Sequence, residues 1–250
     1  MDGQIVEFKY LPSKGYAYPD DIEIYVKPIS IQEQIDMDRY GITTAEYFQI
    51  ILDGITIKGN FDKNNLLQAD VQFMDIVRRL YSFDTKERIG IKGVECMYRD
   101  CNCTFDYEFS IDELEFTDFN KDIFGKEFTF GKGTDRELTV TVSPLTIKEF
   151  ISMSKRIRHM TDRKTATSAI FLEYCCTCIR DVKDREFDDI KDRNSFLKKY
   201  IGSLTSGADK QVAKEIEDQT VIQLKPFKVI CEECGRETEV VVSASSNFQQ

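Results

Sequence analysis

The sequence predicts an α+β fold made of two related strand-helix-helix-strand repeats packed together, each ending in a cysteine-bearing β-element. Three observations carry this. A block from Val26 to Ile35 returns from Val142 to Ile151 with Val, Pro, Ile, Glu and Ile identical and Ser/Thr and Ile/Leu exchanged. The elements around that block follow the same order in both halves. A cysteine cluster falls near the end of each half, Cys96/Cys101/Cys103 in the first and Cys231/Cys234 in the second. Repeats of one supersecondary unit bury their apolar faces against each other.

In the first half, Ile5 to Leu11 mixes β-formers and runs into the turn clusters Pro12-Ser-Lys-Gly15 and Tyr18-Pro-Asp-Asp21. Ile22, Ile24 and Val26 alternate with Glu23, Tyr25 and Lys27, the pattern of a half-buried strand. Ser30 with Glu33, and Thr43 with Glu46, are spaced as capping boxes: the hydroxyl takes the third helical amide and the carboxylate returns to the cap amide. Tyr47, Ile50 and Ile51 share a face that Gly54 ends. Val71, Met74, Val77 and Tyr81 mark a further helix, followed by Val94-Glu-Cys96 and a strand from Thr104 to Ile111.

The second half reads the same way. Glu127-Phe128 answers Glu7-Phe8, and Leu138/Val140/Val142 answers Ile22/Ile24/Val26. A helix from Ala166 to Ile179 matches the one from Ala45 to Leu52, and Val212 and Ile216 stand where Val77 and Tyr81 stood. Val229-Ile-Cys231 and a strand from Thr238 to Val242 close the half. The repeats span 1–120 and 121–250, with an insertion near 184–206. The connection from Phe116 to Lys126 is polar and turn-like, with no Ser/Gly-rich linker, which argues for packed repeats rather than beads on a string.

Composition narrows function. With 34 basic against 44 acidic side chains the net charge is -10, the wrong sign for neutralising phosphates, so nucleic acid and anionic membranes are poor partners. Protein partners are favoured. No apolar run approaches the roughly 18 residues of a membrane span, and the first residues do not read as a secretory leader. A cytosolic site of synthesis is expected. The single histidine, His159, lies in the basic island Lys155 to Lys164, where no neighbouring acid and pocket are assembled for general-base work; this reads as a solvated helix end or a docking patch. Gly131-Lys-Gly133 is too short for a phosphate loop, and there is no nucleophile elbow or dinucleotide fingerprint. An enzyme is not expected.

The cysteines carry the chemistry. Cys231-Glu-Glu-Cys234-Gly235 has the form of a zinc knuckle, two thiolates on a tight turn with glycine after the second, and supplies two ligands of four. Cys96, Cys101 and Cys103 offer the rest if the halves pack so that one cluster completes the other. Such a site would be closed and structural. The irregular spacing of the first cluster leaves a second reading open, free and partly buried thiols. Cys175, Cys176 and Cys178 sit in an apolar helical run and read as core.

The segment Phe8-Lys-Tyr-Leu-Pro-Ser-Lys-Gly15, then Tyr18-Pro19, the strand to Pro28 and the helix with Glu33 resembles the opening of the baseplate protein family of T-even-type contractile-tailed phages. The resemblance continues through Val71 to Tyr81, the cysteine strand Cys96 to Leu114, and the terminal Cys231-Glu-Glu-Cys234-Gly with Phe248. A simple Cys-x-x-Cys is expected at the first cluster and is not found. The resemblance implies a non-enzymatic subunit of the baseplate hub, assembled in the host cytoplasm with other hub proteins, the tape measure and the spike complex, and retained in the virion. Two alternatives stand beside it: a hub assembly chaperone that leaves before maturation, and a zinc-dependent enzyme. A zinc-ribbon nucleic-acid binder is disfavoured by the charge.

Overall fold

Val26 and Val142, the aligned valines of the repeated block, end matching strands in a computed structural model that describes residues 3–82, 89–157, 163–205 and 207–240. The first half runs β1 (Gln4–Val6), β2 (Glu23–Val26), α1 (Ile31–Met37), α2 (Thr44–Asp53), β3 (Ile55–Lys58), α3 (Gln68–Ser82), β4 (Ile89–Glu95) and β5 (Thr104–Phe109). The second runs β6 (Lys126–Phe130), β7 (Leu138–Val142), α4 (Ile147–Ile157), α5 (Arg163–Cys178), β8 (Ile179–Val182), α6 (Ile190–Gly202), α7 (Gly207–Thr220), β9 (Phe227–Ile230) and β10 (Glu237–Val240). The α+β class is as the sequence predicts. Among the described residues there are four small sheets, all antiparallel: β1-β2-β3, β6-β7-β8, and the hairpins β4-β5 and β9-β10.

Particular pairings recur in the two halves. Val26 pairs with Ile55 and Val142 with Ile179, in each case the first strand residue beyond the second helix. The next residues repeat one bond, Lys27 N to Gly54 O and Ser143 N to Cys178 O, both 2.9 Å. The additional helix of the second half, α6, falls inside 184–206. Two strands, β3 and β8, were not anticipated. Each is four residues long and begins within one residue of a helix: β3 follows the cap Gly54, and β8 follows Cys178 with no break in apolar character, so the helical pattern runs on through Ile179 although the backbone has already turned extended. The opening β-stretch is also shorter than expected: only Gln4–Val6 pairs, and Phe8–Tyr10 is a 3-10 turn.

The capping boxes at Ser30/Glu33 and Thr43/Glu46 both form, a third forms at Thr146 and Glu149, and in each half a buried or half-buried arginine reaches one box. Ser30 N donates to Glu33 Oε2 (2.8 Å), and Glu33 N to Ser30 Oγ (3.2 Å). Arg78, from α3 and fully buried, donates to the other Glu33 oxygen (2.6 Å) and to the carbonyls of Lys27, Ile50 and Ile51. One guanidinium thus joins β2, α1 and the end of α2. In the second half Glu149 takes the Thr146 amide (2.9 Å), and Arg180 of β8 grips the same carboxylate and the Pro144 carbonyl. The carboxyl of Glu33 is held below its usual range: burial opposes this, and the Ser30 amide and Arg78 overcome it.

The Leu-Pro-Ser, Gly, Tyr opening is a folding motif. Asp70, buried at the start of α3, accepts from the Ser13 amide (2.9 Å), the Ser13 hydroxyl and the Tyr18 hydroxyl, and Tyr18 Oη accepts from Leu67 N (2.9 Å). Burial raises the Asp70 carboxyl, against these hydrogen bonds. Gly15 has φ +75°, and a Cβ there would meet the Phe8 ring at 2.6 Å, so the turn requires glycine on both counts.

The first core gathers Ile24, Val26, Ile51, Leu52, Val71 and Met74. Ile147 of α4 joins that core rather than its own, its amide bonded to Leu66 O at 2.7 Å, and Phe150 meets Phe48 edge-on with centroids 5.4 Å apart. Met153, two turns further along α4, packs into the second core with Val140, Cys175, Cys178 and Ile216. The helix therefore serves both halves. The polar connection between them is also pinned: Phe116 packs on Phe73 and Ile123 is buried, where a loose turn-like stretch was expected. Tyr81 is exposed at the end of its helix rather than buried with Val71, Met74 and Val77.

Two outcomes test this frame. A Cβ at Gly54 would fall 1.9 Å from the Arg78 guanidinium carbon, which four hydrogen-bond acceptors hold in place. Gly54→Ala should cost about 1–3 kcal/mol in urea unfolding, as for other overpacked sites, while Gly207→Ala, where the new methyl meets nothing, leaves the midpoint unchanged. Glu33→Gln should destabilise at pH 7 by about 1.5–3 kcal/mol, the worth of a charge-assisted bond. Because the folded carboxyl titrates below its ordinary 4.5, the wild-type advantage is complete above that pH and disappears as pH falls through the folded value. Melting temperatures of the two proteins between pH 7 and 3 should converge at the acid end.

Candidate metal centre

Each half ends in a hairpin, and the two hairpins pack on each other instead of on their own sheets. Phe109 of β5 and Phe227 of β9 meet with centroids 4.9 Å apart, Tyr107 adds a second contact to Phe227, and Val240 closes the cluster with Leu80 and Ile91. Beside them residues 115–117 run antiparallel to 223–225, with Lys225 N to Glu115 O at 2.7 Å and Thr117 N to Gln223 O at 2.8 Å. This brings the tips of the hairpins together.

The tips are built alike. Cys96 N bonds Cys103 O across the first (2.9 Å), and Cys231 N bonds Arg236 O across the second (3.0 Å). Cys101 N returns to Tyr98 O, and Gly235 N to Cys231 O, tightening each turn. Just after the second cysteine of each tip the backbone goes left-handed, at Asn102 (φ 49°) and Gly235 (φ 67°), and curls the chain around the sulfur. Asparagine and glycine are the residues that tolerate this best. The tips are also braced to one another. Arg236 pairs with Asp100 (2.8 Å) and lies 4.0 Å over the Tyr98 ring, and Met97 N donates to Thr238 Oγ1 (2.9 Å).

Four sulfurs converge as a result. Cys96 Sγ lies 3.8 Å from Cys234 Sγ, Cys101 Sγ lies 3.7 Å from Cys231 Sγ, and all four are within 4.8 Å of one another. These separations are far longer than a disulfide of about 2.05 Å. The two shorter ones match the edge of a tetrahedron with metal–sulfur bonds of about 2.3 Å, which is about 3.8 Å. Two residues from each hairpin, soft donors throughout and tetrahedral spacing suit a zinc ion. The fifth thiol expected here, Cys103, stands outside the four: it donates to the Thr104 carbonyl (3.6 Å) as β5 begins. Cys103 lies only two positions beyond Cys101, but the left-handed Asn102 between them turns the chain before β5 begins, and the Cys103 sulfur is not among the four.

The thiols do not titrate alike. Hydrogen bonds from the Arg236 backbone and guanidinium bring Cys234 down to about 6, and the Cys234 and Glu233 amides lower Cys231. Desolvation and then the neighbouring Cys234 raise Cys101 to about 12. Four thiolates at these distances repel, so full ionisation of the set is favoured only with a cation among them. Arg236, two positions beyond Cys234, is the outer residue that sequence reading missed; an arginine just after a Cys-x-x-Cys-Gly turn is the signal that was there to use.

The other cysteines are core. Cys175, Cys176 and Cys178 are fully buried in α5, Cys175 donating to Ala213 O and Cys178 to Thr220 Oγ1 at 3.6 Å each, and burial pushes Cys176 and Cys178 up to about 12. His159 lies outside the described residues. Within its basic island, Arg156 is committed to the buried Glu173 (3.3 Å) and to Thr177, so that arginine belongs to the α4–α5 contact. No helix among the described residues is long and apolar enough to cross a membrane. No protein-family model, curated protein or solved structure matches the chain.

Metal content checks the centre. Native mass spectrometry of protein grown with zinc should show one zinc ion per chain. Cys96→Ser, Cys101→Ser, Cys231→Ser and Cys234→Ser should each lose it, and Cys103→Ser should keep it. Retention in the first four variants would dismiss the site.

Proposed function

We propose that this chain is a non-enzymatic structural subunit of the baseplate hub of a contractile phage tail, acting through protein-protein interfaces. The observation that carries the structural part is the four-thiolate cluster, which draws two ligands from each half. A zinc ion bound there would be fully coordinated by protein, with no open position for substrate or water, as structural sites are. It would tie the two terminal hairpins together and add its binding energy to folding. The phage assignment rests on the residue resemblance of the opening segment, the capping helix and the terminal knuckle. The acidic net charge of -10 and the abundance of Phe and Tyr accord with an assembly part rather than a binder of phosphates. On this reading its partners are other hub proteins, the tape measure and the spike complex; it is assembled in the host cytoplasm and stays in the virion tail.

The second reading is a hub assembly chaperone, favoured by the same resemblance. Quantitative mass spectrometry of purified tails separates the two. A structural subunit appears in fixed proportion to the other hub proteins. Its confinement to the unassembled fraction of the lysate, with complete hubs lacking it, would overturn the structural assignment in favour of the chaperone.

A further inference from the structure

The repeated block leaves one surface unmatched. Ile31 and Ile35 on α1 align with Ile147 and Ile151 on α4. Both helices bury the aligned methionine, Met37 or Met153, in the core of their own half. On α4 the isoleucine face then docks on the other half, where Ile147 is fully buried, Ile151 packs beside it, and Phe150 meets Phe48. On α1 the same face is open: Ile31 is 83% exposed and Ile35 58%, with Tyr40 fully exposed in the following turn.

A second copy of the chain is not the natural cover. Head-to-tail stacking would seat α1 on the second-half counterpart of the Phe48 surface. Counting back from Gly54 and Cys178, which take equivalent hydrogen bonds, that counterpart is Leu172. It is already occupied by α6: Gly202 lies against Leu172, and Lys198 pairs with Glu173 beside it. The inserted helix caps that end of the stack, as terminal units do in repeat proteins. Copies carrying a net charge of -10 each would also repel.

We infer that the exposed α1 face of Ile31 and Ile35, with Tyr40 in the turn that follows, docks a helix of another protein that carries an apolar stripe flanked by basic residues. The apolar requirement follows from the equivalent α4 contact, where aliphatic and aromatic side chains of a facing helix cover the isoleucines. The basic requirement follows from Asp36 and Asp38, whose carboxylates accept from the neutral amides of Gln32 and Gln34, while the nearby Arg39 is paired with Glu46. This is the helix-in-groove mode of recognition, read as apolar anchors within a charged rim. It stands independently of the phage assignment.

The probe is a synthetic amphipathic peptide with Leu and Phe on one face and Lys on the other, titrated into the whole protein by fluorescence anisotropy, with hydrogen exchange locating the contact. Binding should be one to one, with protection confined to α1 and the turn after it. It should weaken about tenfold or more in the Ile31→Lys, Ile35→Lys double variant, which changes only exposed positions, and be unaltered in Ile230→Lys, another exposed isoleucine. Equal binding by the double variant, or protection centred elsewhere, would overturn the proposal. A wild-type dimer in sedimentation that the double variant converts to monomer would overturn it too, by assigning the face to a second copy.

Discussion

The packing of Phe109 and Tyr107 against Phe227, with the rings tilted to one another, joins two hairpins that belong to different halves of the chain, and much of the remaining architecture depends on that contact. Without it the β4-β5 and β9-β10 pairs would be isolated two-stranded ribbons, which are marginal in water. With it, they share a small apolar cluster with the end of α3 and present two cysteine turns to each other. Aromatic packing and the Arg236 brace set the sulfurs at tetrahedral spacing, and a cation in their midst would convert a modest contact into a strong one. The loop so closed spans more than half of the protein.

Buried charge does comparable work inside each half. Arg78 has no exposed side-chain surface, and such a group is tolerated only when its donors are met. Here they are met by Glu33 and by carbonyls at the end of a strand and a helix, so a single residue fixes the relative placement of three elements. The second half reaches the same end by a different route, with Arg180 supplied from β8 rather than from the third helix. The carboxylate is the constant feature and the arginine the variable one. That is consistent with the glutamate having a local duty as helix cap, whereas any cation that reaches it can neutralise it.

Local features were legible from the residues alone. Both capping boxes were readable because the hydroxyl and carboxylate that complete them are three positions apart. The strand ending at Val26, its partner ending at Val142 and the buried faces of α3 and α5 followed from periodicities of two and 3.6. The knuckle at Cys231 and Cys234 was readable because a tight turn needs neighbours in sequence. By contrast, β3 and β8 were invisible. Ile55-Thr-Ile-Lys58 and Ile179-Arg-Asp-Val182 are four residues each, too short beside a helix for a period to stand out, and they are strands because a distant edge is there to pair with.

By itself the sequence determined the α+β class, the starts of α1 and α2 and the residue types able to hold a metal. These depend on contacts within a few positions of each other, or on patterns that repeat along the chain. Tertiary structure alone decided which four of the five candidate thiols converge, that the halves pack their last hairpins together into a common unit, and that α4 docks on the opposite half while α1 keeps the same face open. Each of those outcomes turns on the packing of surfaces many tens of residues apart, from Ile147 on Leu66 to Cys96 beside Cys234. Spacing within the sequence is silent about such distances, and side-chain shape and burial settle them.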